Sequence, residues 1–122
     1  MFKNIVYLHK RGYEAGDCLF LGHGGGGFST HNPKFEKIAK MLSRKITNEK
    51  KAVFLSHEPP YGTKLDYIAK SHTGSKSLRK FINENNLKLV ICGHLHENKN
   101  KEDKIGNTIV INPGPHGKII DI

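Results

Sequence analysis

The sequence has few cysteines and contains no long apolar run. A membrane-spanning helix needs about 20 consecutive apolar residues, so the chain is not expected to interact with a membrane. Its N-terminal segment also lacks the apolar core of a secretory signal, and we therefore expect a cytoplasmic protein. Cys18 and Cys92 lie within short apolar runs, where a cysteine usually packs as a small buried side chain. A disulfide is therefore not expected.

The length and composition indicate one ordinary globular domain. The chain has 122 residues, of which 36% are hydrophobic and 25% are charged, so a disordered, fibrous or multidomain protein is excluded. We treat residues 1–122 as a single domain.

Acidic residues are scarce, with 11 against 20 basic residues and a net charge of +9. Seven of the basic residues lie between Lys34 and Lys51, and such a cluster suits phosphate-bearing partners through counterion release. Aromatic side chains do not interleave with these lysines as a single-strand binding groove requires. The solvated face of a helix is the favoured interpretation, and nucleic-acid binding is only weakly supported.

Hydrophobic periodicity predicts strands that alternate with two amphipathic helices. The predicted helices are Pro33 to Ile46 and Gly74 to Asn85. The predicted strands are Asn4 to Leu8, Cys18 to Leu21, Ala52 to Ser56, Leu89 to Cys92, Thr108 to Ile111 and Lys118 to Ile122, with turns at Arg11-Gly12 and Ala15-Gly16-Asp17 and a loop from Asn98 to Lys104. The fold class is α/β, with one mixed sheet and about two main helices.

Three of these strands are apolar at every position, which implies burial on both faces of the sheet. Two helices cover roughly one face. The other face therefore requires a further layer, either a partner chain or a second copy of this chain.

Three histidines lie just past the ends of two buried strands, where open sheets place their ligands. His57 follows the strand that ends at Ser56, and His94 and His96 lie in a glycine-containing turn after Cys92. Two imidazoles at positions i and i+2 can be directed to one point, and neutral imidazole suits Zn, Mn or Fe. Two strand ends that both contribute histidines favour a metal site.

The sequence around these histidines resembles the C-terminal half of the calcineurin-like metallophosphoesterases. The resemblance is carried by Ser56-His57-Glu58-Pro59-Pro60, by Gly93-His94-Leu95-His96-Glu97 and by Asn112-Pro113-Gly114-Pro115. It extends to the loop Tyr61 to Asp66 and covers nearly the whole chain, in the form of a prokaryotic subgroup of predicted phosphoesterases. The expected fold is half of a metallophosphoesterase β-sandwich flanked by helices.

The resemblance implies a site for two divalent metal ions. His57 and His94 would hold one ion and His96 the other, whereas Asn112 lies near the site without being a ligand. The ions would polarise the phosphoryl oxygen and lower the pKa of bound water to roughly 7. Lys64 and the four glycines Gly24, Gly25, Gly26 and Gly27 are candidates for contacts with substrate phosphate. No residue is assigned as a catalytic acid or base.

The chain departs from the family by lacking its N-terminal motifs. These are an Asp-x-His strand end, a Gly-Asp turn with the bridging aspartate and a Gly-Asn-His-Asp/Glu turn with the histidine that protonates the leaving group. Gly16-Asp17 matches the second in letters only, and His23 has no carboxylate beside it in the sequence. Three histidines without a bridging carboxylate leave the repulsion between two cations uncompensated. The chain therefore encodes half of a site, and the missing half of the fold is also one sheet.

Three hypotheses follow. The first is a split or shortened metallophosphoesterase, an enzyme that hydrolyses phosphate esters, with diesters favoured, when a second polypeptide supplies the missing motifs; a variant makes Met1 an internal methionine of a longer protein. The second is a non-catalytic dimeric binding module derived from the same fold. The third is a nucleic-acid-binding protein that uses the face from Lys34 to Lys51. Family motifs fix neither the substrate nor the choice between Mn, Fe and Zn.

Overall fold

The computed structural model describes residues 5–25 and 30–122. Its two helices are α1 (Pro33–Ser43) and α2 (Lys76–Glu84). Its strands are β1 (Arg11–Ala15), β2 (Cys18–His23), β3 (Lys51–Ser56), β4 (Tyr67–Ile68), β5 (Ser71–His72), β6 (Leu89–Cys92), β7 (Glu102–Ile105) and β8 (Thr108–Ile111). None of the helices in the described ranges has the length and apolar character needed to cross a bilayer.

Six strands form one mixed sheet in the order β1-β2-β3-β6-β8-β7, and β4 pairs with β5 in a separate hairpin. The four central strands are parallel, and the edge strands β1 and β7 are antiparallel to their neighbours. Parallel strands have their carboxyl ends at the same edge of a sheet. The segments that follow β2, β3, β6 and β8 therefore lie side by side, which confirms the α/β fold class with one mixed sheet.

Both helices pack on one face of the sheet, and side-chain caps fix where they begin. The side chain of Asn32 accepts a hydrogen bond from the Phe35 N–H at 3.0 Å, and Ser75 does the same for the Leu78 N–H at 3.0 Å. Such caps satisfy backbone donors that the first turn of a helix leaves unpaired. Phe35 of α1 and Phe81 of α2 then meet edge to face, with ring centroids 5.7 Å apart. Burial of each ring stabilises the fold by ~1.5–3 kcal/mol.

The opposite face of the sheet is also apolar but is less completely covered. Val53, Leu89 and Ile111 are buried there. The residues packed around them are only half-buried, namely Phe20, Leu55, Ile91, Ile109, Ile120 and Ile122. Ile120 and Ile122 belong to the segment after β8, so the chain supplies part of its own covering layer. The further layer expected from the sequence stays a prediction.

The edges of the sheet differ from the sequence prediction. Residues 5–8 contain no strand, and the described structure does not include Asn4; β1 instead occupies residues where turns were expected. All five residues of β1 are exposed, and it forms because the turn at Gly16, with φ of +60°, returns the chain along β2. A sequence of exposed residues shows no apolar alternation, so its pairing leaves no hydrophobic signal.

The C-terminal region differs in the same way. The predicted loop from Asn98 to Lys104 contains most of β7, which pairs with β8 around Gly106 at φ of +58°. The predicted strand from Lys118 to Ile122 is wrong, because these residues form no strand and instead lay two isoleucines on the sheet. The predicted C-terminal ends of the helices also lie too far along the chain, since α1 ends at Ser43 and not at Ile46.

Candidate metal centre

The carboxyl edge of the sheet brings histidines from three strand ends together. His23 is the last residue of β2, His57 follows β3, and His94 lies two residues beyond β6. The strands end in register, because His23 pairs with Ser56 and Ser56 pairs with Cys92. Strand pairing alone therefore gathers these imidazoles at one edge.

His57 and His94 are in direct contact. The His57 Nε2 lies 2.8 Å from the His94 Nδ1, and the ring centroids are 4.6 Å apart. Imidazole nitrogen binds Zn²⁺ at about 2.0–2.1 Å in tetrahedral geometry, so two nitrogen ligands of one ion lie about 3.3 Å apart, slightly farther than the nitrogens of this hydrogen-bonded pair. Burial lowers the pKa of His94, and the charges of His57 and His96 lower it further. The neutral imidazole that results is the form that binds a metal, so this pair fits as two ligands of one ion.

The backbone around His94 is held in an uncommon conformation. His94 has φ of +69°, in the left-handed region that costs residues with a Cβ about 1–2 kcal/mol. The Gly93 N–H donates to the His57 carbonyl at 3.2 Å, and the Leu95 N–H donates to the Gly93 carbonyl at 2.8 Å. These bonds tie the turn after β6 to the end of β3, so the contact between the two imidazoles has a backbone cause.

His96 lies next to this pair without joining it. It begins a single 3-10 turn, His96–Asn98, and shares with His94 a pocket of about 270 Å³ that is also lined by Lys99 and Asn112. The Asn112 side chain donates to the Leu95 carbonyl at 3.3 Å, between the two histidines. In residues 5–25 and 30–122, no group of three or more His, Cys, Asp or Glu side chains is placed to hold a metal ion.

A second pair of histidines lies at the same edge. His9 and His23 have ring centroids 5.0 Å apart, and with His57 they line a pocket of about 310 Å³. The His9 Nδ1 accepts a hydrogen bond from the Gly24 N–H at 2.8 Å. Burial lowers the pKa of His23, and His9 and Lys10 contribute in the same direction. Sequence reasoning missed His9, because its position depends on one bridge to Gly22 that no motif marks.

The predicted phosphate contacts do not lie together. Gly24 uses its N–H for His9, and Gly25 has φ of +97°. Gly26 and Gly27 lie outside the described residues. Lys64 lines a different pocket, of about 370 Å³, together with His72 and other residues of the loops before α2 and β7. Their roles as substrate contacts stay predictions.

The two cysteines are not among the predicted ligands of this centre, although Cys92 lines both of its pockets. Both are free thiols, and burial raises the pKa of Cys92 to about 12. The Cys92 Sγ donates to the Ile111 carbonyl at 3.5 Å. A thiol with so high a pKa is not a nucleophile at neutral pH.

Comparison with known proteins finds a matching family, a related sequence and a similar solved structure. Residues 4–118 match the family described as metallophosphoesterase, calcineurin superfamily. The chain is 42% identical over 105 residues to the uncharacterized protein MJ1162 of Methanocaldococcus jannaschii, a match that covers 79% of this chain and 48% of that protein. A solved crystal structure matches with a TM-score of 0.72 and 26% identity, over 88% of this chain and 45% of its own. The chain thus spans about half the length of the relatives it matches.

Proposed function

The chain belongs to the calcineurin superfamily of metallophosphoesterases, and from that membership we propose that it is a metal-dependent phosphodiesterase completed by a second polypeptide. The observation that supports this most directly is the contact between His57 and His94 at the ends of two parallel strands. The pair offers two nitrogen ligands at an edge where the described residues add no third. Such an edge fits one side of a site shared between two chains better than it fits a site that is complete within one chain.

His57 and His94 hold one divalent ion in this proposal, and His96 contributes to a second. Held there, Mn, Fe or Zn ions would act as Lewis acids on the phosphate ester and activate water as the nucleophile. The task of this chain is to hold the imidazoles in place, and the strand register and the turn at Gly93 do so. Two cations at one site also need anionic ligands, and we assign these to the partner.

The half-buried face of the sheet supports the need for a partner. Phe20, Leu55 and Ile91 lie on three neighbouring strands of that face, beside the buried Val53 and Leu89. A second sheet packed on these residues would bury them and bring its own strand ends to the carboxyl edge of this sheet. We call that edge, which carries His23, His57 and His94, the histidine edge. The partner is a chain that carries the missing N-terminal motifs or, in the alternative function, a second copy in a non-catalytic dimeric binding module.

The test is complementation. The purified chain is mixed with the part of MJ1162 that lies outside the matched region, and hydrolysis of a chromogenic phosphodiester is measured with Mn²⁺. We expect no activity for either component alone, activity for the mixture, and loss of at least about a hundredfold in His94→Ala. His116→Ala, which changes an exposed histidine outside the pockets described above, is the matched control.

Three outcomes would contradict the proposal. Activity of the chain alone that is lost in His94→Ala would mean that one chain, or its homo-oligomer, builds a complete site. An inactive mixture in which the chain sediments as a stable homodimer would favour the binding module. Equal activity in His94→Ala and His116→Ala would exclude this edge as the metal centre.

A further inference from the structure

Asp66 is a carboxylate that the histidine edge does not use, and it is completely buried. Its Oδ2 accepts hydrogen bonds from the N–H groups of Gly62 at 3.0 Å and Gly74 at 2.9 Å. Its Oδ1 accepts from the Thr63 N–H at 2.8 Å and lies 2.8 Å from the His72 Nδ1. Backbone N–H groups can only donate, so both oxygens act as acceptors, as an ionised carboxylate does. The His72 Nδ1 therefore carries a proton and donates it to Asp66.

His72 is held in one orientation by this bond and by two aromatic rings. Its ring centroid lies 4.9 Å from that of Tyr67 and 5.6 Å from that of Tyr61. The side chain is 35% exposed, and it lines the pocket of about 370 Å³ that contains Lys64. Because Nδ1 is committed to Asp66, the Nε2 is the ring nitrogen that remains for a ligand.

Lys101 lines the same pocket and is also positioned by a buried group. Its Nζ donates to the Asn98 Oδ1 at 2.8 Å, and Asn98 is only 1% exposed. The Asn98 Nδ2 in turn donates to the Leu65 carbonyl at 2.8 Å. An ammonium group has three donors, so one bond to Asn98 leaves two for a ligand. The loop that carries Lys64 and the segment that carries Lys101 are thus linked through Asn98.

The charges in this pocket favour an anion. Asp103 also lines it, but its Oδ2 accepts from the Lys64 N–H at 3.0 Å and its Oδ1 from the Lys104 N–H at 2.8 Å. These backbone donors satisfy the oxygens of both carboxylates but leave their negative charges in place. The ammonium groups of Lys64 and Lys101 are the charged donors that an anionic ligand would meet.

We propose that this pocket, which we name the lysine pocket (Thr63, Lys64, Tyr67, His72, Lys101 and Asp103), binds a phosphate dianion through the ammonium groups of Lys64 and Lys101 and, when the His72 ring is an imidazolium that donates from both nitrogens, through the Nε2–H of His72. Phosphate accepts several charge-assisted hydrogen bonds at once, and lysine is a common phosphate ligand in proteins. The ligand is inorganic phosphate or the phosphate group of a monoester. The site needs neither a metal nor a second polypeptide, so it does not depend on the proposed function.

The experiment measures binding to the metal-free chain in the presence of EDTA. Inorganic phosphate and glycerol 2-phosphate are titrated separately by calorimetry, and amide shifts in NMR spectra locate the site. We expect dissociation constants at least about tenfold weaker in Lys64→Met, Lys101→Met and His72→Asn. The asparagine side chain can still donate to Asp66 but lacks the second ring nitrogen. Lys104→Met, which removes a nearby positive charge outside the pocket, is the control.

The two ligands distinguish the two sources of phosphate. Equal affinities indicate a site for free phosphate, and tighter binding of the monoester indicates a larger ligand. The proposal is overturned if neither ligand binds the parent chain, if the pocket variants bind as it does, or if Lys104→Met weakens binding as much as they do. Each variant is first checked for an unchanged thermal unfolding midpoint. If His72→Asn unfolds, the two exposed lysines still decide the question.

Discussion

The histidine edge and the lysine pocket differ in how far each is completed by its own residues. At the edge, His57 and His94 meet side chain to side chain, and His94 holds an unfavourable backbone conformation. At the pocket, the fully buried Asp66 is surrounded by four donors that all come from the same short stretch of chain. The pocket is therefore a finished local structure, and the edge is a surface arranged for something added to it. The stability of the fold should therefore depend more on the residues around the pocket, and metal binding should depend on the edge.

The largest expected effect on stability is that of Asp66→Asn. The amide group cannot accept all four hydrogen bonds, so at least one buried backbone N–H loses its acceptor, and the free energy of unfolding should fall by ~2–4 kcal/mol. His57→Ala at the exposed edge should cost less than about 1 kcal/mol. Urea denaturation of both variants measures the difference, with the exposed Asp121→Asn as control. Equal losses in Asp66→Asn and His57→Ala would remove the contrast between the two regions.

A second comparison uses one glycine from each region. A Cβ at Gly74 would lie 2.7 Å from the Pro59 carbonyl oxygen and 2.8 Å from the Asp66 Cβ, whereas a Cβ at Gly93 would meet no atom within 4 Å. We expect Gly74→Ala to destabilise the chain by ~1–3 kcal/mol and Gly93→Ala by less than about 1 kcal/mol. Thermal unfolding of the two variants tests this. A larger loss in Gly93→Ala would mean that the edge is the more tightly packed region.

The smallest expected effect separates the backbone of His94 from its imidazole. His94→Gly and His94→Ala both remove the metal ligand, but only alanine keeps a Cβ in the left-handed conformation. The glycine variant should therefore be more stable than the alanine variant by ~1 kcal/mol, and both should bind Zn²⁺ more weakly than the parent chain. Urea denaturation and zinc titration provide the two measurements. Equal stabilities would indicate that the turn relaxes when the imidazole is removed.

The centre of the sheet could be predicted from the sequence, and its edges could not. β3, β6 and β8 are continuous apolar runs between turn residues, and the predicted bounds agree with the structure to within one residue. All residues of β1 and two of the four residues of β7 are exposed, so these strands form by pairing around a glycine turn and leave no hydrophobic pattern. The segment from Lys118 to Ile122 shows the opposite error, because its apolar residues predicted a strand but form none in the structure.

The site could be predicted only as far as strand ends determine it. The proximity of His57 and His94 follows from two parallel strands that end in register. The role of Asp66 could not be predicted, because its donors are spread over Gly62 to Gly74, a segment that contains only a short hairpin and shows no hydrophobic periodicity. The sequence also gave no reason to place Lys64 away from the histidines. Lys64 and His57 both follow β3, and the path of the loop after a strand cannot be predicted from residue order alone.

The hydrogen bond between the Lys51 Nζ and the Ile122 carbonyl, 2.7 Å long, has a practical consequence for labelling. Lys51 begins β3, and the histidines lie past its other end, at Ser56. The five steps from Lys51 to Ser56, at roughly 3.3 Å each, separate the two positions by roughly 17 Å. An affinity tag or fluorophore attached after Ile122 would start at the far margin of the sheet. A dye placed there would report on events at the histidines by distance.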